Sequence, residues 1–420
     1  MLNRRDFAKL SLTAAAAAAT SPRINAATPS RQTIKPKRLT PGDTVGLVLP
    51  ASAAFEADEI QFAKEQMEAI GFKVVIGPHA FDKWGYFAGH DRDRAGDINR
   101  MFADDTVSGV VCYTGGWGSP RVLPYLDYDL MKRKPKVLIG YSDITALLNA
   151  VHKKTGLITF HGPVGGSTFE AFTLENFRRV VMTPDPAGVL PTPSKKPNEL
   201  VDRTNRILKL TKGTATGPLI GGNLTMIASL MGTPYQPDTT NAIFFLEDVH
   251  EEPYRIDRML TTLALGGLFD NVAGILFGRC SDCGVKGPSF SLEEILRDRF
   301  AALPVPVLSG LSFGHIEQKL VLPIGVRATL DADAGVVRVE EGWGRGRRKT
   351  VANPLLPHFS HAHLNRRHPV PRRDPSPPAL FSWGRRCRRR MRGRFTRALF
   401  VSDSCFKRPL CQRRKIVSDA

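Results

Sequence analysis

Val137-Leu138-Ile139-Gly140 is a short apolar run that stops at Tyr141-Ser142-Asp143 and is followed at once by the helix-like Ile144-Thr145-Ala146-Leu147-Leu148. A serine on a sharp strand-to-helix turn presents its hydroxyl above a sheet. The next amide and the helix N-terminus then offer positive potential where an oxyanion would form. Ser142 is therefore a candidate nucleophile for acyl transfer, with the amide of Asp143 beside it. The same residues also fit a helix N-cap, with Ser142 or Asp143 satisfying first-turn amides, and spacing alone favours the cap.

Two further strand ends carry groups that could work with such a serine. Tyr113-Thr114-Gly115-Gly116-Trp117-Gly118-Ser119 is a glycine-rich turn whose amides can approach a ligand closely. It matches neither the dinucleotide nor the Walker spacing. An oxyanion hole or a contact to substrate backbone fits better than a phosphate cradle, and a plain tight turn stays open. Farther on, Phe244-Phe245-Leu246 runs into Glu247-Asp248, and Phe313-Gly314 precedes His315. A carboxylate at a strand end can orient an imidazole and stabilise its protonated form. Alternatively, Glu247 pairs with Arg255 or Arg258 and His315 is structural.

Gly310-Leu311-Ser312-Phe313-Gly314 satisfies the GxSxG pattern literally. That pattern requires a following helix, yet 315–326 contains Pro323 and Gly325 and reads as loop plus strand. Ser312 is set aside on that ground. Of six cysteines, Cys280 and Cys283 form a CxxC with no second pair at metal-ligand spacing. They read as structural thiols, although an oxidising compartment would permit a disulfide.

These groups need a scaffold, and the pattern around them alternates strands and helices. Residues 44–49, 73–76, 109–113 and 136–140 read as strands. Residues 56–70, 92–102 and 144–154 read as helices, with Gly71 and Gly156 as stop signals. That alternation predicts an α/β fold: an N-terminal Rossmann-like parallel-sheet domain over 38–182 carrying the serine, with ligands gathering at the carboxyl ends of the strands. The proline- and lysine-rich stretch 183–212 reads as a linker. A smaller C-terminal α+β domain over 213–341 follows, with a strand at 242–246, a helix from 253 to about 265, and late strands at 321–330 and 336–339.

The ends of the chain have a different character. Residues 1–27 combine Arg4-Arg5, Phe7 and Lys9 with an alanine-rich apolar run and small residues at Ala26 and Ala27, the pattern of a twin-arginine export signal. A periplasmic location is expected. The apolar run is too short to span a membrane. The chain of 420 residues carries 59 basic and 40 acidic groups, net +19, but the excess sits after residue 341. The near-neutral body lacks the basic face that phosphate neutralisation requires, which argues against nucleic acid as its partner. The tail 342–420, with arginines such as Arg385, Arg386 and Arg388 to Arg390, lacks apolar periodicity and is expected to be disordered. It reads either as a basic interaction arm or as a shifted reading frame. The second fits better, because Arg, Pro, Ser and His are scattered without period.

Taken in order, many of these segments resemble one family. They are Gly85-Tyr86-Phe87-Ala88-Gly89, Asp91 to Arg94, Gly115-Gly116-Trp117-Gly118, Gly140 to Leu147, Gly221-Gly222-Asn223-Leu224, Gly232-Thr233-Pro234-Tyr235, Leu246-Glu247-Asp248, and Gly314-His315 with Leu322-Pro323-Ile324-Gly325. Together, over residues 38–341, they look like the serine L,D-carboxypeptidases, or muramoyltetrapeptide carboxypeptidases, which also include the microcin C immunity peptidase. The resemblance implies a triad of Ser142 as nucleophile, His315 as base and then acid, and Glu247 orienting it, at the interface of the two domains. It also implies an oxyanion hole from the amides of Gly116 and Asp143. Gly115 and Trp117 become candidate substrate contacts, although Thr114 and Trp117 stand where the family usually has Arg and Tyr. The implied activity is release of the terminal D-alanine from a murein tetrapeptide, with no metal and no cofactor. The alternatives are cleavage of peptidyl-nucleotide or aminoacyl-nucleotide conjugates, or a catalytically dead murein-binding module. The expected partner is a murein tetrapeptide or related small peptide, and the expected assembly is a homodimer.

Overall fold

Apolar, largely β-branched segments form the centre of the first sheet. The computed structural model describes residues 33–195 and 198–342. The export-signal reading of 1–27, and the tail reading beyond Gly342, fall outside the described residues. In the first half of the chain the order is β1 (Thr44–Val48), α1 (Ala57–Ile70), β2 (Lys73–Ile76), α2 (Asp91–Ala103) and β3 (Val107–Cys112), then the short helices α3 (Ser119–Val122) and α4 (Tyr128–Arg133). It continues with β4 (Val137–Gly140), α5 (Thr145–Thr155), β5 (Thr159–His161) and α6 (Ala171–Phe177). Helix α1 buries Ile60, Ala63, Met67 and Ile70, one stripe at helical spacing. It ends on Gly71 at φ 115°, a left-handed stop that glycine adopts without a Cβ penalty. Strands β2, β1, β3, β4 and β5 lie side by side in parallel.

The second half supplies an eight-stranded sheet. Its strands are β6 (Gly188–Val189), β7 (Leu208–Lys209), β8 (Thr214–Asn223), β9 (Ile243–Val249), β10 (Gly274–Ser281) and β11 (Val307–Leu311), with β13 (Arg327–Asp331) and β14 (Val336–Val339). Strands β8 to β11 are mutually parallel, and antiparallel strands flank them at both edges. Helices α7 (Leu224–Ser229), α8 (Pro253–Leu265) and α9 (Leu292–Phe300) complete this half. Helix α9 starts with a capping box between Ser291 and Glu294.

Two local readings are corrected, and one left open is decided. The stretch read as a linker holds β6 and β7, which pair with β14 and β11. Two-residue edge strands among prolines are too short to show an alternation. The single late strand read over 321–330 breaks at Gly325 (φ 91°). Its first part, β12 (Leu322–Ile324), pairs antiparallel with β5 in the first sheet, while β13 pairs with β8 in the second. The chain therefore returns to the first sheet before it forms β13 and β14 in the second. The open one is the CxxC pair: Cys280 and Cys283 are joined in a disulfide.

The halves meet where α5 lies against β8. The Asn149 side-chain amide donates to Gly221 O at 2.9 Å, and the Asn223 amide donates to Thr145 Oγ1 at 3.0 Å. A Cβ on Gly222 would come within 2.5 Å of Thr145 Cγ2, so glycine is needed for this approach. Since α5 follows Ser142, and β8 pairs with β9 in a register that sets Asn223 opposite Glu247, this seam aligns the ends of β4 and β9. No helix among the described residues is long and apolar enough to cross a membrane.

Candidate active site

The turn after β4 holds its serine in an uncommon conformation. Tyr141 is extended at φ −153°, and Ser142 sits at φ 64°, in the left-handed region that an L-residue enters at a cost. One turn of 3-10 helix, Ser142–Ile144, then leads into α5. Neither helical start has a side-chain cap bond, so the N-cap reading of Ser142 and Asp143 does not hold. Asp143 is buried and turns its carboxylate toward the glycine-rich loop, where Oδ2 accepts the Ser119 amide at 2.7 Å. The Ser119 hydroxyl donates back to Asp143 O. Burial pushes the Asp143 carboxyl above its ordinary range, opposed by the Ser119 and Gly118 bonds and by the Arg94 charge.

The Ser142 hydroxyl lies 2.8 Å from Nε2 of His315, and Nδ1 of His315 lies 2.8 Å from Oε2 of Glu247. With the serine hydroxyl donating, Nε2 accepts and Nδ1–H donates to the carboxylate. Glu247, on β9, is fully buried, and its Oε1 has no partner among the described residues. His315 stands on the loop between β11 and β12. The Ser281 hydroxyl donates to its carbonyl at 2.7 Å, and the Leu320 amide donates to Ser312 O at 2.7 Å, closing the loop. Gly314 (φ 105°) must lack a side chain, because a Cβ there would come within 2.5 Å of Glu247 Oε2. The Tyr141 ring packs against the imidazole at 4.9 Å between centroids.

The alternative pairings are absent from this geometry. Arg255 bonds Glu251, and Arg258 lies over the Tyr254 ring. Ser312 is buried, and its hydroxyl has no partner among the described residues.

The glycine-rich loop lies directly on the serine. A Cβ on Gly115 would be 2.7 Å from Ser142 Cβ and 2.9 Å from its Oγ. Gly116 (φ 97°) approaches Ser52, whose hydroxyl accepts the Trp117 amide at 3.0 Å. Arg94, buried under the loop, donates to Pro50 O, to Gly118 O and to Asp91. Trp117 itself is 65% exposed, with the Tyr86 ring edge-on to it at 6.0 Å.

The structure thus brings Ser142, His315 and Glu247 together and sets Gly115 and Asp143 beside the serine, while Gly116 and Trp117, next along the loop, lie against Ser52. Sequence reasoning missed Ser52, Ser119, Tyr141, His161 and Lys319 as neighbours of this centre. Only Ser119, inside the quoted glycine-rich run, and Tyr141, inside the quoted strand-to-helix turn, carried a signal. His161 is buried among the rings of Tyr141, Phe245 and Phe313, neither of its nitrogens has a hydrogen-bond partner among the described residues, and burial lowers its pKa from 6.5 to about 4. One group among the described residues, His79, Asp82 and Asp93, could hold a metal ion, and it shares no residue with this centre.

Comparison with known proteins places the same segments in a family frame. Residues 45–162 match the family model for the LD-carboxypeptidase N-terminal domain, and residues 216–330 match that for the LD-carboxypeptidase C-terminal domain. The chain is 35% identical over 323 residues to a probable murein peptide carboxypeptidase of Bacillus subtilis, covering 75% of this chain and 97% of the relative. It is 30% identical over 311 residues to a murein tetrapeptide carboxypeptidase of Pseudomonas aeruginosa, covering 69% and 93%. Among solved structures, the apo microcin C7 self-immunity protein MccF superposes with a TM-score of 0.68 at 28% identity, covering 74% of this chain and 99% of that one.

Proposed function

The chain belongs to the LD-carboxypeptidase family of serine-type hydrolases, and from that premise we propose that it releases the terminal D-alanine of murein tetrapeptides by a Ser142–His315–Glu247 acyl-enzyme mechanism. The observation that carries this reading is the unbroken hydrogen-bonded chain from Ser142 Oγ through both nitrogens of His315 to Glu247.

In this mechanism Ser142 Oγ attacks the scissile carbonyl carbon while Nε2 of His315 takes its proton. Glu247 stabilises the imidazolium through Nδ1–H. The amides of Asp143 and Gly116 receive the oxyanion, in a loop already preorganised by Ser52, Ser119 and Arg94. Collapse of the tetrahedral intermediate breaks the C–N bond, and His315 returns the proton to the departing amine of D-alanine. A water molecule, deprotonated by the same imidazole, then hydrolyses the ester and frees Ser142. No step calls for a metal or a cofactor.

Arg4-Arg5 and the alanine-rich run direct the protein to the periplasm by the twin-arginine route. Cell fractionation, with and without an Arg4→Lys/Arg5→Lys change, tests that; retention of both forms in the cytoplasm would refute it. Homodimerisation is checked by light scattering, where a single mass of one chain would exclude it.

The function is tested by incubating the purified protein with disaccharide tetrapeptide and following the products by mass spectrometry. The expected outcome is loss of one alanine, abolished by Ser142→Ala. An intact tetrapeptide together with cleavage of an aminoacyl-sulfamoyl nucleotide would favour the chemistry suggested by the likeness to MccF.

A further inference from the structure

A triad cuts acyl bonds wherever they fit, whereas a carboxypeptidase must also read the free carboxylate that lies two bonds, about 2.5 Å, beyond the scissile nitrogen. We infer that Lys319 is the residue that reads it: a largely buried lysine, four residues after His315 on the same loop, placed to pair with the terminal carboxylate of the substrate. The inference rests on the carboxypeptidase reading of this site.

Four observations support it. Lys319 is only 6% exposed, yet among the described residues its Nζ has no hydrogen bond and no ion pair. Its one close partner is the face of Tyr141, with Nζ 5.2 Å from the ring centroid. Tyr141 directly precedes the nucleophile and packs on the imidazole of His315, so ammonium and imidazole share one ring as a wall. The backbone under Lys319 is fixed, because its amide donates to Thr173 Oγ1 at 3.0 Å, Thr173 in turn donates to Glu317 O, and the Leu320 amide closes onto Ser312 O.

A cation largely screened from water without an ion-pair partner is costly, and folds keep one only where something offsets that cost. Burial pulls the Lys319 ammonium below the ordinary lysine range, while the charges of Glu170, Glu247 and Glu317 act to keep it protonated. None of the three forms an ion pair with it. Other cations near the serine are already engaged: Arg94 with two carbonyls and Asp91, and the exposed Arg121 with Asp91. An incoming carboxylate would meet a pre-oriented, partly desolvated ammonium. A neutral end would leave that ammonium unpaired, which is how a polar site rejects analogues lacking its partner.

The competing role for Lys319 is long-range support of the buried Glu247 carboxylate. That role concerns the machinery alone and is indifferent to the end of the substrate. The two separate in a cycle that changes the lysine and the carboxylate in turn. The full-length protein is assayed with murein tetrapeptide and with the same peptide ending in a carboxamide. Wild type should prefer the acid by about 100-fold or more in kcat/KM. In Lys319→Met the ratio should collapse to a few-fold, through loss of the acid's advantage and mainly in KM. Lys319→Arg should recover part of the preference. An unchanged ratio in Lys319→Met, or equal losses for both substrates, would overturn the assignment. If that variant does not fold, Lys319→Gln carries the same expectation, and a wild-type ratio near one overturns the idea without any variant. Turnover of the acid with an unaltered ratio refutes the role of Lys319 alone. Turnover of neither peptide refutes the peptidase reading, and this inference with it.

Discussion

The serine side of the site and the glutamate–histidine side are held in place by different physics. Ser142 is positioned locally: a four-residue strand, a left-handed residue and one helical turn aim its hydroxyl, within a single stretch of about ten residues. Glu247 and His315 are 68 residues apart and 173 residues separate Ser142 from His315. Their meeting depends on the α5–β8 seam, on the clamps that pin the His315 loop, and on a glycine at 314 that lets the loop pass over the carboxylate. The local half stores its cost as backbone strain. The distant half stores it as burial, with a fully sequestered carboxylate of which one oxygen has no partner among the described residues. Strain and an unsatisfied buried group are both features a fold sheds unless function retains them.

That contrast can be broken first at the nucleophile. Ser142→Ala should lower kcat/KM by about 10⁴- to 10⁶-fold with little change in stability, as for other residues of a catalytic unit. Ser142→Gly should be equally inactive but more stable by about 1 kcal/mol, since glycine adopts φ 64° without strain. Thermal unfolding of the two variants side by side reads this difference, and a less stable glycine variant would contradict the strain argument.

On the other half, Glu247→Gln keeps the shape and removes the charge that stabilises the imidazolium. Activity should fall about 10⁴-fold, and stability should hold or rise, because a buried charge with an unpartnered oxygen is removed. A strongly destabilised but active glutamine variant would show that Glu247 is a structural residue.

A smaller effect is expected at the glycine-rich loop on the serine side. Gly115→Ala would place a methyl group 2.9 Å from the Ser142 hydroxyl, and a displacement of that order should cost about 100-fold in rate. An unaltered rate would mean that the glycine-rich loop does not lie on the serine.

The smallest effect concerns pH. The buried His161 has its pKa lowered from 6.5 to about 4, so below 6.5 the unfolded chain binds a proton that the folded chain refuses. Its contribution to stability is complete above 6.5 and is lost as pH falls toward about 4, a change of up to roughly 3 kcal/mol. His161→Gln should flatten that part of the stability profile, measured by denaturant unfolding at pH 7 and pH 5. An equal slope in wild type and variant would contradict it.

The same division explains what could be read without coordinates. The strand-to-helix turn at Ser142, the parallel strands and the glycine stops announce themselves by local periodicity and residue type. The late strand that breaks at Gly325 does not, because nothing local says that Leu322–Ile324 will pair with β5 rather than run on into β13. Edge strands β6 and β7 were hidden by their two-residue length. The partnership of Glu247 with His315 was legible only through family resemblance, since a carboxylate at one strand end and a histidine after a distant glycine carry no spacing rule. Lys319 and His161 had no signal at all: their roles arise from what surrounds them once three separate segments have packed.

The most direct test of the triad is the site of covalent labelling by a fluorophosphonate, located by peptide mass spectrometry on the full-length protein. A serine activated by His315 and Glu247 should be modified on the peptide containing Ser142, and the adduct should vanish in both Ser142→Ala and His315→Ala. Labelling at Ser312, or labelling of Ser142 that persists in His315→Ala, would contradict the mechanism.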